Sequence, residues 1–267
     1  MLTIALAQMN PTVGDFDANC AAIVAHMQRA SEKGADLLVC PELSLCAYYP
    51  GDLFEDAAFL RGMQQALDTV LQASTRWPAL VTVIGTARPN SGVGKPLYNA
   101  LLAMRDGRIV AEYYKQLLPT YGIFDEGRHF EPGPPGACTL TIAGCKVGFM
   151  ICEDGWNDDG RAYAVNPFDA LHAARPDLIV SINASPSDIG KRAQRHAVFG
   201  AACKRVNLPL LFVNQVGGQD QLVFDGASFA MSPSQGVQFE AARFVEDFPL
   251  LRFANGARGT VSSSWLK

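Results

Sequence analysis

The sequence lacks the features that would place it in a membrane or a secretory pathway. No apolar run reaches the roughly 18 residues that a membrane-spanning helix needs. The opening stretch, "MLTIALAQMNPTVGDF", has neither a basic n-region nor a small-residue cleavage site, so we expect no secretory signal. We therefore expect a cytoplasmic protein that does not bind a membrane.

Positive charge is scarce as well. The chain carries 22 Lys and Arg against 26 Asp and Glu, which gives a formal net charge of −4. Nucleic-acid binding requires concentrated Lys and Arg to neutralise phosphates, so we expect no nucleic-acid partner. The one basic cluster, residues 190–196, is more typical of a solvated helix face or of part of a site.

Cysteines are present, but their spacing is not that of a disulfide framework or a zinc site. The seven are spread widely, at positions 20, 40, 46, 138, 145, 152 and 203. They include no C-x-x-C pair, and the four histidines are scattered too. This pattern indicates a reducing compartment and predicts no bound metal.

Apolar runs alternate with amphipathic stretches along the chain. Helices are predicted over residues 16–34, 52–75, about 161–174 and about 187–206. Strands are predicted over 2–8, 35–43, 80–87, 177–184 and 208–217, in hairpins over 97–115 and 138–152, and as short segments from 221 to 250. Roughly a dozen strands are too many for one open sheet, so we expect two packed mixed sheets flanked by helices. We expect one domain, residues 1–250, and a C-terminal tail, 251–267.

The stretch "KVGFMICEDGWN" places a thiol at the end of an apolar strand. Glu153 and Asp154 cannot continue a buried strand, so the chain must turn at Cys152 and hold its side chain at the sheet edge. A cysteine thiolate is a strong nucleophile. From the residues alone, a strand-end core cysteine is an equally good interpretation.

Two further charged residues end apolar strands. Lys115 ends "IVAEYYK" and Glu42 follows "ADLLVCP". Each is ordinarily the first solvated residue after a strand. Because strand ends converge on one edge of a sheet, their joint occurrence with Cys152 favours a common site. There the lysine would stabilise a thiolate and an oxyanion, and the glutamate would act as a base.

The surrounding motifs resemble the nitrilase, or carbon–nitrogen hydrolase, superfamily. The similarity lies in "CPELSLCAYYP", "YYKQLLPTYGIFDEGRHF" and "GFMICEDGWN". Within that superfamily, "INASPSDIGKRAQR" and "VNQVGGQDQLVFDGASF" resemble the glutaminase domain of glutamine-dependent NAD synthetases. The resemblance covers nearly the whole chain and implies an α/β fold, a four-layer αββα sandwich.

The resemblance also implies catalytic roles. Cys152 matches the nucleophile, Glu42 the general base and Lys115 the residue that stabilises the intermediate. Glu126, in "FDEGRHF", matches a second glutamate that orients the lysine. The residues alone are equally compatible with Glu126 as a loop acid that caps the following turn.

Four more positions match residues that bind glutamine in that family: Tyr121, Glu153, Ser185 and Lys191. Lys191 stands at a position where relatives carry arginine. A lysine can pair with a carboxylate, but it lacks the two-pronged guanidinium that binds both carboxylate oxygens. The ordinary alternatives are a packed loop aromatic for Tyr121, a helix N-cap for Ser185 and a solvated side chain for Lys191.

The implied activity is hydrolysis of L-glutamine to ammonia and glutamate through a thioester, without a cofactor or a metal. In the resembled enzymes, an ATP-dependent synthetase domain uses the ammonia to amidate deamido-NAD, and we expect no such domain within these 267 residues. A homo-oligomer is the default for the superfamily. The alternatives are a stand-alone amidase or nitrilase that acts on another amide or a nitrile, and a non-catalytic assembly subunit.

Overall fold

The computed structural model describes residues 1–157 and 159–254, together with the backbone of residues 264–266. The helices are α1 (Phe16–Glu32), α2 (Ala57–Ser74), α3 (Pro167–Ala174) and α4 (Lys191–Val206). The first strands are β1 (Leu2–Leu6), β2 (Leu37–Val39), β3 (Val81–Pro89), β4 (Leu97–Arg105), β5 (Arg108–Tyr114), β6 (Cys138–Ile142), β7 (Cys145–Ile151) and β8 (Leu178–Asn183). The others are β9 (Leu210–Asn214), β10 (Val216–Gln219), β11 (Leu222–Asp225), β12 (Phe229–Ser232), β13 (Gly236–Glu240), β14 (Leu250–Ala254) and β15 (Ser264–Leu266).

The described strands form two large mixed sheets and one two-stranded ribbon. The first sheet has the order β15-β14-β1-β2-β3-β4-β5, and the second has the order β13-β12-β9-β8-β7-β6. The ribbon pairs β10 with β11. The predicted pair of mixed sheets is therefore confirmed, and both predicted hairpins are present as β4–β5 and β6–β7.

Alternation along the strands separates the layers of the molecule. In β1, Leu2, Ile4 and Leu6 face the core between the two sheets, whereas Ala5 faces the core under α1 and α2. In β7, Phe149 faces the core between the sheets and Met150 faces the core under α3 and α4. Successive strand residues point to opposite faces, so this pattern produces the layer order helix, sheet, sheet, helix.

The carboxyl ends of several strands meet at one edge of the sandwich. Strands β1, β2 and β3 run parallel in the first sheet, as do β7, β8 and β9 in the second. Strand β5 has the same direction as β3, because both are antiparallel to β4. The segments that follow β2, β5, β7 and β8 are therefore brought together, and they carry the predicted site residues.

Three helices begin later than the sequence predicts, and each has a local cause. Asp56 caps α2 by accepting the N–H of Ala58, while the residues before it form a short 3-10 turn. Asn166 caps α3 and a proline occupies its first turn, so residues 161–166 stay outside the helix. Gly190, with φ +78°, precedes α4. Among the described helices, none has the length and apolar character needed to cross a membrane.

The strand predicted over 243–250 is wrong for all but its last residue, since the structure places β14 at Leu250–Ala254. This strand pairs antiparallel with β1, and its alternating Leu251 and Phe253 are buried between the sheets. Residues 251–254 of the predicted tail therefore lie in the first sheet. Residues 255–263 and 267 lie outside the described residues.

Candidate active site

Glu42 reaches the site because the chain after β2 crosses directly over β3. A Cβ atom on Gly85 of β3 would lie 2.1 Å from the backbone nitrogen of Leu43 and 2.7 Å from the Cα of Glu42. Only glycine allows this approach. Leu43 adopts φ +47°, which turns the chain and leaves the Glu42 side chain fully buried.

Lys115 lies between two buried carboxylates. Its Nζ is 2.8 Å from Oε1 of Glu42 and 2.7 Å from Oε1 of Glu126. None of the three side chains is more than 1% exposed. A buried ammonium needs such partners, because desolvation without them would favour its neutral form. The structure thus brings together three of the predicted catalytic residues.

Two residues that the sequence analysis did not identify complete this network. Asn99, near the start of β4, donates through Nδ2 to Oε1 of Glu42 at 2.8 Å and to Oε2 of Glu126 at 3.4 Å. Tyr48 donates its hydroxyl to Oε1 of Glu126 at 2.8 Å. A polar residue inside the apolar stretch "LYNALL" was the available signal for Asn99.

The second sheet reaches the same network through a backbone group. The N–H of Ala184, which follows β8, donates to Oε2 of Glu42 at 2.8 Å. Both oxygens of this carboxylate therefore accept hydrogen bonds, which hold it in one orientation across the junction of the sheets.

The electrostatics of the cluster favour a charged lysine and a neutral thiol. Burial lowers the pKa of Lys115, but Glu126 and Glu42 outweigh it and raise the pKa well above its usual value. Burial and the Glu42 charge raise the pKa of Cys152, against the opposing effect of Lys115. Burial also raises the pKa of Glu126 to about 7, although Lys115 opposes the shift.

Cys152 lies directly after β7, where the chain turns as predicted. It begins a 3-10 turn over Cys152–Gly155 and adopts φ +42°, a conformation that side-chain-bearing residues rarely adopt. It is only partly buried, unlike the core cysteines at positions 20, 40, 46, 145 and 203. Cys152 also packs against the core between the two sheets, so its role as a nucleophile stays a prediction.

Asp154 holds this turn against the segment that carries Lys115. Its carboxylate accepts the N–H of Ile151 at 3.0 Å and the hydroxyl of Tyr113 at 2.8 Å. It also accepts the two backbone N–H groups that follow Lys115, at 3.0 and 2.9 Å. A buried carboxylate with four donors fixes the Cys152 turn relative to the lysine.

A small cavity of about 20 Å³ collects the predicted residues, and this volume is close to that of a single water molecule. Seven of the eight predicted site residues line it: Lys115, Tyr121, Glu126, Cys152, Glu153, Ser185 and Lys191. Glu42 is not among the lining residues, but it forms an ion pair with Lys115, which lines the cavity. The chemical roles of these residues remain predictions.

Two tyrosines bind Glu153 at the mouth of the cavity. The hydroxyl of Tyr121 lies 3.0 Å from both carboxylate oxygens, and the hydroxyl of Tyr163 lies 2.9 Å from Oε1. Burial raises the pKa of Glu153, and Lys115 and then the two tyrosines oppose the shift. The ring of Tyr121 is half exposed, so it covers the cavity instead of packing in the interior. Tyr163 was not predicted.

Ser185 and Lys191 also line the cavity. Oγ of Ser185 accepts a hydrogen bond of 3.0 Å from Nε of Arg195, which also forms a buried 2.7 Å ion pair with Asp225. Ser185 does not cap α4, because Gly190 occupies the cap position. Nζ of Lys191 lies 3.8 Å from the centre of the Trp156 ring, and burial lowers its pKa.

Comparison with known proteins identifies the family. The family model for carbon–nitrogen hydrolases matches residues 3–247. The chain is 37% identical over 261 residues to a glutamine-dependent NAD(+) synthetase of Synechocystis sp., which covers 95% of this chain and 46% of that protein. A synthetase of the same name from Xanthomonas campestris pv. campestris is also 37% identical, over 99% of this chain and 46% of its own length. The chain thus spans about half the length of these curated relatives.

Solved structures agree with this assignment. A glutamine-dependent NAD+ synthetase from Acinetobacter baumannii superposes with a TM-score of 0.84 at 31% identity, over 94% of this chain and 45% of that one. An amidase of the nitrilase superfamily from Nesterenkonia AN1 shares the fold, with a TM-score of 0.79 at 22% identity over 93% of this chain and 89% of that one. This chain is therefore a hydrolase and belongs to the carbon–nitrogen hydrolase family.

Proposed function

We propose that the chain hydrolyses the side-chain amide of L-glutamine and releases ammonia. The observation that carries the proposal is Lys115, buried between Glu42 and Glu126 and lining one cavity with a partly exposed, strand-end Cys152. The relatives named above as glutamine-dependent NAD synthetases support glutamine as the substrate.

In the first step, Glu42 takes the proton from the thiol of Cys152 as sulfur attacks the amide carbonyl. The raised pKa of this thiol makes a base necessary. The carbonyl oxygen becomes an oxyanion, which Lys115 and a backbone N–H of the turn stabilise. A donor of this kind is typically worth about 10²–10³ in rate.

In the second step, the C–N bond breaks and the nitrogen leaves as ammonia with the proton held by Glu42. The acyl group remains on Cys152 as a thioester. Water then gives a proton to Glu42 and attacks the thioester carbonyl. The C–S bond breaks, sulfur takes the proton back from Glu42, and glutamate is released. The proposed sequence draws only on these side chains and on water, so it uses neither a cofactor nor a metal.

The predicted substrate-binding residues have charges that complement an amino acid. Glu153 would pair with the ammonium group of glutamine, and Lys191 with its carboxylate. The hydroxyls of Tyr121 and Ser185 would supply further polar contacts in the cavity. Because the cavity has a volume of only about 20 Å³, glutamine enters when Tyr121 moves away from Glu153.

The ammonia has a proposed acceptor in a synthetase domain. Because the chain spans about half the length of the NAD synthetases that it resembles, the ammonia would serve an ATP-dependent amidation of deamido-NAD in the other half. ATP and deamido-NAD would be substrates of that domain and take no part in the hydrolysis.

The test is ammonia release from L-glutamine, compared with L-asparagine, propionamide and propionitrile. We expect the highest kcat/KM for glutamine and no activity in Cys152→Ala with its fold intact. Cys138→Ala, which removes a partly buried cysteine of β6, should keep full activity and serves as the matched control. Retained activity in Cys152→Ala, or a preference for the nitrile, would refute the proposal.

A further inference from the structure

We propose that Asp52, Glu55 and His129 form a binding site for a divalent transition-metal cation such as Zn²⁺. The three residues lie outside the cavity described above. Asp52 and Glu55 belong to the 3-10 turn Gly51–Glu55, and His129 ends the 3-10 turn Glu126–Arg128. The proposal is independent of the proposed glutaminase activity.

The ligand atoms are already close to one another. One donor atom from each residue lies within 4.8 Å of the other two. Nε2 of His129 is 3.4 Å from Oε1 of Glu55 and 3.7 Å from Oδ1 of Asp52. Ligand atoms around Zn²⁺ sit about 2.0–2.2 Å from the metal, so a small rearrangement of the two exposed carboxylates would complete the site.

His129 provides evidence that a ligand belongs here. Its ring is only 4% exposed, and among the described residues the nearby carboxylates stand at ion-pair distances from Nε2 without the geometry of a hydrogen bond. A buried nitrogen without a partner is destabilising, and such groups require an explanation. A cation held by Asp52 and Glu55 would provide the missing partner.

The other ring nitrogen is held in the way that metal-bound histidines require. Nδ1 of His129 lies 2.7 Å from the hydroxyl oxygen of Tyr49, and that hydroxyl lies 3.3 Å from the carbonyl oxygen of Asp125. Tyr49 can donate to Asp125 while accepting Nδ1–H. In the tautomer that carries its proton on Nδ1, the lone pair of Nε2 faces the carboxylates, where it would bind a cation.

Arg128 competes for the same oxygens. Its Nη2 is 2.9 Å from Oδ1 of Asp52 and 3.6 Å from Oε1 of Glu55. The side chain is 51% exposed, so it is free to swing into solvent when a metal enters. The guanidinium pairs with the two carboxylates, whereas a metal would also satisfy the imidazole of His129.

The ligand set selects the class of metal. One imidazole and two carboxylates suit Zn²⁺ and similar first-row ions, whereas Mg²⁺ prefers oxygen ligands alone. Bound there, the ion would join the 51–55 turn to the turn that begins with Glu126, whose carboxylate holds Lys115. Metal binding would therefore stabilise the segment that carries Glu126 at the candidate active site.

The test is equilibrium dialysis of chelator-treated protein against Zn²⁺, carried out in the Cys152→Ala background so that the active-site thiol does not bind the metal. We expect one ion per chain, no binding of Mg²⁺, and a rise in Tm with Zn²⁺. The double variant Asp52→Asn/Glu55→Gln changes two exposed side chains and should bind Zn²⁺ at least about 100-fold more weakly. Its Tm without metal shows whether it folds.

Three single variants sharpen the test. Arg128→Gln should tighten Zn²⁺ binding about tenfold by removing the competing charge. Tyr49→Phe should weaken binding about 10–100-fold by removing the partner of Nδ1. Glu32→Gln, an exposed change on α1, should have no effect. Absence of Zn²⁺ binding, or binding that the double variant and Arg128→Gln leave unchanged, would overturn the proposal.

Discussion

At the scale of single residues, local sequence identifies the side chains at strand ends and misses those that support them. Cys152, Lys115 and Glu42 each follow an apolar run, so an abrupt change from apolar to charged residues marks them. Most side-chain hydrogen bonds of Asn99 and Asp154 join them to residues at least 37 positions away in the sequence. No periodicity reveals such contacts, because they depend on how the two sheets meet.

Asn99 offers a test of the network behind the cavity. Asn99→Leu keeps a similar volume but removes the donors to Glu42 and Glu126. We expect kcat for glutamine to fall about 10–100-fold with little change in KM, because the carboxylates lose their orientation while the substrate pocket is retained. Steady-state kinetics of purified protein measure both constants.

Asn90→Leu, the same change in the exposed loop after β3, is the matched control. It removes hydrogen bonds only within its own loop, so kcat and KM should stay at wild-type values. A rise in KM without a fall in kcat for Asn99→Leu would contradict a role in positioning the carboxylates. A thermal unfolding scan separates either result from a loss of fold.

At the scale of helices and strands, strands were predicted better than helix starts. Apolar runs and the turns at Asp106-Gly107 and Ala143-Gly144 define both hairpins. All four turn residues adopt positive φ, which glycine accepts most readily and Ala143 least. The helix predicted over 161–174 begins only at Pro167, and its Asn-Pro start signal was present in the sequence. The predicted helix began before that signal, because the prediction did not use it to set the helix start.

Gly85 tests how β3 positions Glu42. A methyl group there would overlap the backbone of Glu42 and Leu43, which cannot move as a flexible side chain does. We expect Gly85→Ala to reduce the free energy of unfolding by about 1–3 kcal/mol and to lower kcat. Urea denaturation and glutamine hydrolysis measure the two effects.

Gly200→Ala in α4 is the control for the same chemical change. Its Cβ would meet no heavy atom within 4 Å. Alanine at this position should stabilise the protein by about 0.5–1 kcal/mol and leave kcat unchanged. If Gly85→Ala behaved like Gly200→Ala, the close crossing over β3 would not be what positions Glu42.

At the scale of the whole molecule, the strand count was enough to predict two packed sheets. A sandwich whose strands end at a common edge explains how positions 42, 99, 115 and 126 come within hydrogen-bond distance of one another. The cluster of Asp52, Glu55 and His129 could not be foreseen, because "GDLFE" and "DEGRH" show no metal-site pattern until the fold brings them together.

The buried charges also predict how stability depends on pH. The folded pKa of Glu126 is raised from 4.5 to about 7, so the folded state binds this proton more tightly than the unfolded chain. The contribution of this protonated carboxyl to the free energy of unfolding is fully present below about pH 4.5 and is lost as the pH rises through 7. In Glu126→Gln, the free energy of unfolding should therefore fall less steeply with rising pH, by up to about 1.4 kcal/mol per pH unit.

Urea denaturation at intervals between pH 4.5 and 7.5 measures this slope. Glu32→Gln, on the exposed face of α1, should keep the slope of the wild type. An identical pH dependence for Glu126→Gln and wild type would show that Glu126 does not exchange a proton on folding in this range.

The most direct measurement of the central claim is covalent labelling with a diazoketone analogue of L-glutamine, followed by intact-mass and peptide analysis. Seven cysteines are available, so the site of reaction is informative. We predict a single adduct on Cys152, formed far more slowly in Glu42→Gln and suppressed by excess L-glutamine. Absence of an adduct, or adducts distributed over the cysteines according to their exposure, would contradict a nucleophile activated at this cleft.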